Sequence, residues 1–164
     1  LTISFPVHVG QQPTFYNQLT GQHGTRYADL TQRPAWVFGH GLTYTTVEYE
    51  ALEILTPQVG PEDTVRAQVT LRNTGARTAL ETVQVYLHDV VTTVTWAAKE
   101  LKAFRQVAVN PGETVTVELE VPARECTIVT ADGARLIEPG RFDLLVGPSS
   151  RDDDLLRGSF TVKA

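Results

Sequence analysis

Val65, Ala67, Val69 and Leu71 alternate with Arg66, Gln68, Thr70 and Arg72, so an extended segment here turns one face to a core and the other to water. The same period of two returns over Thr82–Leu87, with Val83, Val85 and Leu87 on one side. It is cleanest over Thr114–Val121, where Val115, Val117, Leu119 and Val121 oppose Thr114, Thr116, Glu118 and Glu120. Phe142, Leu144 and Val146 repeat it, and Phe160–Val162 supplies a last strand. Turn chemistry separates these runs: Asn73-Thr74-Gly75, Asn110-Pro111-Gly112, Asp132-Gly133 as a hairpin tip, and Glu138-Pro139-Gly140.

Two segments break the pattern. In Val47–Leu55 the apolar phase slips from Val47 and Tyr49 to Leu52 and Ile54, which in a strand requires a bulge or a change of sheet. In Lys99–Val109, Leu101, Val107 and Val109 share one phase while Phe104 holds the other, as expected of a strand buried on both faces or of a second bulge. About seven short strands, regularly spaced turns and no amphipathic helix predict an all-β protein. The expected fold is an antiparallel β-sandwich of the immunoglobulin or fibronectin type III kind. A chain of 164 residues suits one such core.

Charge and composition narrow the partners. Nineteen Asp plus Glu against 14 Lys plus Arg leave a net charge of -5, with no basic cluster to neutralise phosphates, so nucleic acid is not an expected partner. No apolar run approaches the roughly 20 residues that cross a bilayer, so a soluble chain and no membrane partner are expected. Cys126 is the single cysteine and reads as a small buried hydrophobe; with no glycosylation sequon at Asn17 or Asn73, it favours a cytoplasmic over a secreted setting. The chain has no Met and Leu1–Phe5 alternates like a strand already under way, so a longer parent is expected upstream.

The lead-in, residues 1–42, differs in kind from residues 43–164. Phe15, Tyr16, Tyr27, Trp36, Phe38, Tyr44 and Tyr49 crowd around it, yet neither a 2 nor a 3.6 repeat organises them. Such an extended N-terminal strap is expected to lay its rings on a partner surface, each contributing about 1.5–3 kcal/mol when fully removed from water. Phe15, Tyr16, Tyr27, Trp36, Phe38 and Tyr44 are therefore candidate domain-docking residues. The alternative is an autonomous carbohydrate-binding or adhesion module, in which aromatic rings would line one strand face.

The ordered motifs resemble the C-terminal end of glycoside hydrolase family 3 enzymes, the β-glucosidase and β-xylosidase group. Ile3-Ser4-Phe5-Pro6 is similar to the last strand of that family's second catalytic domain, and Tyr16-Asn17 through Arg26-Tyr27-Ala28-Asp29 to its linker. Phe38-Gly39-His40-Gly41-Leu42-Thr43-Tyr44-Thr45 resembles the junction with the family's fibronectin type III-like domain, with Thr43 in place of the usual Ser. Asn73-Thr74-Gly75, Val83-Gln84-Val85-Tyr86-Leu87, Lys99-Glu100-Leu101-Lys102, Phe104, Pro111-Gly112-Glu113, Glu138-Pro139-Gly140 and Val146-Gly147-Pro148-Ser149-Ser150 follow in the family's order. Trp96-Ala97-Ala98 stands where the family often has Arg-Pro.

The resemblance implies that a parent enzyme hydrolyses a terminal β-linked glucose or similar sugar with retention, and that this segment carries no catalytic residue. Its implied partners are the N-terminal barrel and the second catalytic domain, with carbohydrate met only through the parent and self-association when the segment is alone. The loop between Asp89 and Trp96 is then placed to border the aglycone side of the cleft. Retaining chemistry needs two carboxyl groups about 5–5.5 Å apart across the bond, whereas Glu48 with Glu50, and Glu118 with Glu120, read as solvated same-face pairs. No cofactor is implied. His8, His23, His40 and His88 lack metal-ligand spacing, and Asp152-Asp153-Asp154 reads as a solvated loop, since adjacent carboxylates rarely converge on one ion.

Overall fold

The computed structural model describes residues 1–21, 26, 27 and 29–164, with the side chains of Arg26, Tyr27 and Leu30 outside the description. Among the described residues twelve strands run in chain order: β1 Arg26–Tyr27, β2 Leu30–Thr31, β3 Val47–Ile54, β4 Gln58–Val59, β5 Thr64–Asn73 and β6 Ala79–Asp89, then β7 Glu100–Val109, β8 Thr114–Pro122, β9 Thr127–Val129, β10 Arg135–Ile137, β11 Gly140–Gly147 and β12 Leu156–Val162. A five-stranded sheet of order β4-β12-β11-β6-β7 faces a three-stranded sheet of order β3-β5-β8, and the helical turns among the described residues are all short 3₁₀ pieces. The pairs are antiparallel except β4 with β12. This is the expected sandwich.

Its core lies between the sheets. Val65, Ala67, Val69 and Leu71 of β5 and Val117, Leu119 and Val121 of β8 meet Val83, Val85 and Leu87 of β6, Phe142, Leu144 and Val146 of β11, and Phe160 and Val162 of β12. Every one of these positions carries the inward phase of its alternation. Cys126 joins this core, and burial pushes its thiol up to about 12, which makes it a space-filling group with no nucleophilic role. Tyr49 ties the two sheets by donating its hydroxyl to Glu81 at 2.8 Å; burial and then the Glu81 carboxylate hold that hydroxyl well above the ordinary tyrosine range.

Both irregular segments are bulged. The β3–β5 register shifts between Tyr49 and Ala51, leaving Glu50 as the extra residue, and this is the predicted slip of phase. On β7, Tyr86 pairs with Leu101 and Val85 with Ala103, so Lys102 is the extra residue there. Gly112 and Gly133 sit at the tips between β7 and β8 and between β9 and β10 with φ of 74° and 84°. That left-handed geometry is what the Asn-Pro-Gly and Asp-Gly signals predict.

The middle of β6 departs from the reading of a half-buried strand. Gln84 and Tyr86 point away from the core yet are 5% and 0% exposed. The lead-in covers them. Leu1–Phe5 runs antiparallel to Trp36–Gly39, with the Phe5 amide donating to the Trp36 carbonyl at 2.7 Å and the Gly39 amide to the Leu1 carbonyl at 2.8 Å. Backbone bonds from Ser150 to Phe38 at 3.0 Å and from Ala98 to Gln18 at 2.7 Å then fasten the strap to the segment after β11 and the segment before β7.

Candidate functional site

Six docking residues and two loop residues carry the functional reading, and the structure divides them. Tyr16 and Phe38 stack at 4.1 Å between ring centroids, and Tyr16 meets Tyr86 edge-on at 5.8 Å. The Tyr16 hydroxyl accepts from the Leu101 amide at 3.2 Å. Tyr16 is therefore engaged by this chain's own sheet, and Phe38 by Tyr16, which the absence of any repeat in the strap did not lead one to expect. The side chain of Tyr27 and the whole of His23 and Ala28 lie outside the described residues.

The other rings stand at the surface. Phe15 and Trp36 are 40% and 48% exposed, and Tyr44 is 90% exposed, with the Arg77 guanidinium 5.7 Å from its ring centroid. Around Trp36 the strap builds an open apolar hollow of about 510 Å³ from Leu1, Phe5, Trp36, His40, Gly41 and Leu42. An adjoining hollow brings Leu42 together with Leu80, Leu101 and Phe104, so the apolar face continues along the β6–β7 pair. His40 packs its ring at 4.7 Å from Trp36, and its buried Nε2 finds no partner among the described residues. Leu1, Phe5, Leu42, Leu80 and Phe104 escaped attention as docking residues, although Phe104 broke the phase of its strand.

Asp89 and Trp96 sit at the far end of the β6–β7 pair. The Asp89 carboxylate accepts from the Val91 amide at 3.2 Å, while its second oxygen is buried without a partner among the described residues. Burial holds that carboxyl above its ordinary value, opposed by the Val91 bond and reinforced by Glu138. Trp96 donates its indole N–H to Glu100 at 2.9 Å.

The carboxylate pairs on β3 and β8 lie at the solvated surface of the three-stranded sheet: Glu120 meets Arg66 at 3.3 Å, and Glu50 meets Arg72 at 4.0 Å. The three neighbouring aspartates diverge. Asp152 pairs with Lys99, Asp153 with Arg33 at 2.9 Å and Asp154 with Arg151 at 3.6 Å. Among the described residues no three His, Cys, Asp or Glu side chains converge as a metal site, and no helix is long and apolar enough to cross a membrane.

With that geometry in view, the family description "Fibronectin type III-like domain" matches residues 81–150. The sandwich is fibronectin type III-like in fold. The chain is 38% identical over 99% of its length to a β-xylosidase of Formosa agariphila, and covers 23% of that protein. It is 32% identical, again over 99%, to a periplasmic β-glucosidase of Salmonella typhimurium, covering 22% of it. Among solved structures, a β-glucosidase involved in saponin metabolism from intestinal bacteria superposes with a TM-score of 0.93 at 52% identity over 98% of this chain and 22% of that one. The β-glucosidase of Listeria innocua in complex with glucose superposes with a TM-score of 0.85 at 30% identity over 98% of this chain. The resemblance to the fibronectin type III-like end of family 3 glycoside hydrolases is borne out, and the chain spans less than a quarter of the length of the relatives it matches.

Proposed function

We propose that this chain is the non-catalytic C-terminal segment of a retaining β-glycosidase acting on terminal β-linked glucose or a similar sugar, and that it serves by docking on the catalytic domains and stabilising them. Residues 1–42 are the end of the preceding catalytic domain with its linker, and residues 43–164 the domain proper. The single observation carrying this reading is the apolar face that runs from Leu1 and Phe5 over Trp36 and Leu42 to Leu80 and Phe104. A face of this extent on a monomer marks an interaction surface, and relatives that extend well beyond the matched region provide the protein to cover it. His40, with a buried ring nitrogen still unpaired inside that face, is suited to receive a polar group from the partner.

The loop from Asp89 to Trp96 supplies the second part of the reading, a wall on the aglycone side of the cleft. The single cysteine favours a cytoplasmic enzyme, which fractionation of the source cell tests. For the docking face the test is light scattering on this chain alone. Self-association with binding of an apolar dye is expected, and Leu42→Glu is expected to abolish both while leaving the fold intact, since Leu42 is 88% exposed. A dye-silent monomer sinks the docking reading.

A further inference from the structure

An open groove of about 610 Å³ runs between the start of β7, the 3₁₀ turn Ala123–Cys126 and the β9–β10 hairpin. Its position follows from the register: Glu100 lies opposite Leu87 near one end of β6, and Lys102 is set beside it by the bulge. Trp96, Glu100, Lys102, Glu125, Arg135 and Leu136 line it. The volume falls within the roughly 300–1,000 Å³ of small-ligand clefts.

We propose that this groove binds a neutral oligosaccharide, with Trp96 as the stacking platform and Glu100, Lys102 and Glu125 as hydroxyl partners. The site goes beyond the docking role; it shares Trp96 with the loop read above as the aglycone wall, and titrating the chain without catalytic domains reads the groove separately from that wall. Three observations carry it.

The indole is fixed before any ligand arrives. Its N–H is held by Glu100, and the backbone around it is tied to the strap through the Thr20 amide on the Trp96 carbonyl at 3.1 Å and the Ala98 amide on the Gln18 carbonyl at 2.7 Å. A preset, partly exposed ring loses little freedom when the apolar C–H face of a sugar covers it.

The polar groups converge. Lys102, the bulged residue of β7, stands 3.3 Å from Glu100 and 4.0 Å from Glu125, so the bulge presents an ammonium between two carboxylates from different elements. Lone pairs on both carboxylates and spare ammonium protons match the alternating donors and acceptors of vicinal hydroxyls.

The charges come close to balance: Lys102, Arg124 and Arg135 line the groove with Glu100 and Glu125. Lys102, less exposed than either carboxylate with a side chain 15% exposed, is already compensated by both. At Lys102 an anion would have to displace these carboxylates, whereas a neutral hydroxyl bridges them, and the Arg124 and Arg135 guanidinium groups add donors at the rim.

The test titrates the 164-residue chain with xylohexaose and with cellohexaose, following tryptophan fluorescence and calorimetry, with circular dichroism as the check on folding. Saturable binding of at least one of the two is expected. Trp96→Ala is expected to weaken it by about tenfold or more, as for a buried aromatic anchor, and Trp96→Phe to restore most of the loss. Glu125→Gln, at a half-exposed side chain, gives an independent reduction, while Trp36→Ala, outside the groove's lining, leaves the affinity as it was. No saturation at tens of millimolar, or affinity indifferent to Trp96→Ala, overturns the proposal. So does binding confined to an acidic oligosaccharide. Self-association through the Leu42 face is read separately by light scattering, so either idea can fail alone.

Discussion

The Gln84 carboxamide occupies the space that a side chain on Gly39 would need: a Cβ there would come within 2.8 Å of Gln84 Cδ and 2.9 Å of its Nε2. Gln84 uses that proximity, donating to the carbonyls of Gly39 at 3.0 Å and Pro148 at 2.5 Å and accepting from the Tyr86 hydroxyl at 2.6 Å. One side chain thus fastens the strap junction to the outer face of the five-stranded sheet. Gly39 also has a φ of 79°, so the glycine is required both by backbone geometry and by the close approach.

Gly39→Ala is accordingly expected to destabilise the chain by about 2–4 kcal/mol in urea unfolding, from left-handed strain together with displacement of Gln84. Combining it with Gln84→Ala removes the clash but leaves the strain and an unsatisfied Tyr86 hydroxyl. The double variant should therefore be less destabilised than the sum of the single changes. Strict additivity would show that the two residues do not share this contact.

Trp36 answers a different question. Its ring is half exposed here, so Trp36→Ala should change the unfolding of the isolated chain by less than about 1 kcal/mol. In the whole enzyme the same change should lower the melting temperature by several degrees, because the covered ring then contributes on the order of 1.5–3 kcal/mol. Paired calorimetry on the two forms decides it. An unchanged melting temperature with lost turnover would place Trp36 against substrate instead.

How much of this was legible in the sequence depended on water. Val65–Leu71 and Thr114–Val121 could be read directly, because each has one face on solvent and so keeps a period of two. The slip at Glu50 was visible for the same reason. The middle of β6 was misread as half-buried, since Gln84 and Tyr86 are polar enough to look solvated and the strap that covers them is joined to them only by the fold. No local pattern marks Tyr16 as a partner of Tyr86, 70 positions away, or separates it from Trp36, which faces outward. The groove was still less legible: Trp96, Lys102, Glu125 and Leu136 come from separate elements and meet only once the two sheets have packed.

Asp89 gives the chain a pH dependence whose sign is fixed by its surroundings. Burial, as the largest effect, holds the carboxyl above its ordinary 3.8. The folded chain therefore keeps this proton longer than the unfolded one. The associated stability is fully present below pH 3.8 and is lost as pH rises through the raised value. Asp89→Asn retains an acceptor for the Val91 amide and cannot ionise. Its melting temperature relative to the parent should climb as pH increases through this window and then level off. Parallel curves from about pH 3 to 7 would remove Asp89 as the cause.

Asn73 offers the sharpest single-atom test of the sandwich. It continues the inward phase of β5 beyond Leu71 and is 0% exposed. Its amide nitrogen donates to the carbonyls of Arg77 at 2.7 Å and Val109 at 2.8 Å, and its oxygen accepts from the Thr45 hydroxyl at 2.7 Å and the Gly75 amide at 3.0 Å. All four bonds of the carboxamide are made, and they join the β5–β6 turn to the end of β7 and to the segment leading into β3. Asn73→Asp keeps the shape but sets a carboxylate oxygen against two carbonyls with no room for water. The expected loss at neutral pH is about 3–5 kcal/mol, the range for an uncompensated buried charge. Protonation restores one donor, so the loss should shrink as pH falls toward 4, opposite to the trend of most paired carboxylates. Asn73→Ala provides the reference: it removes both acceptor and donors and should show no such pH dependence. Equal, pH-independent losses for the two variants would show that volume, and not the bonding of the amide, is what the fold requires at this position.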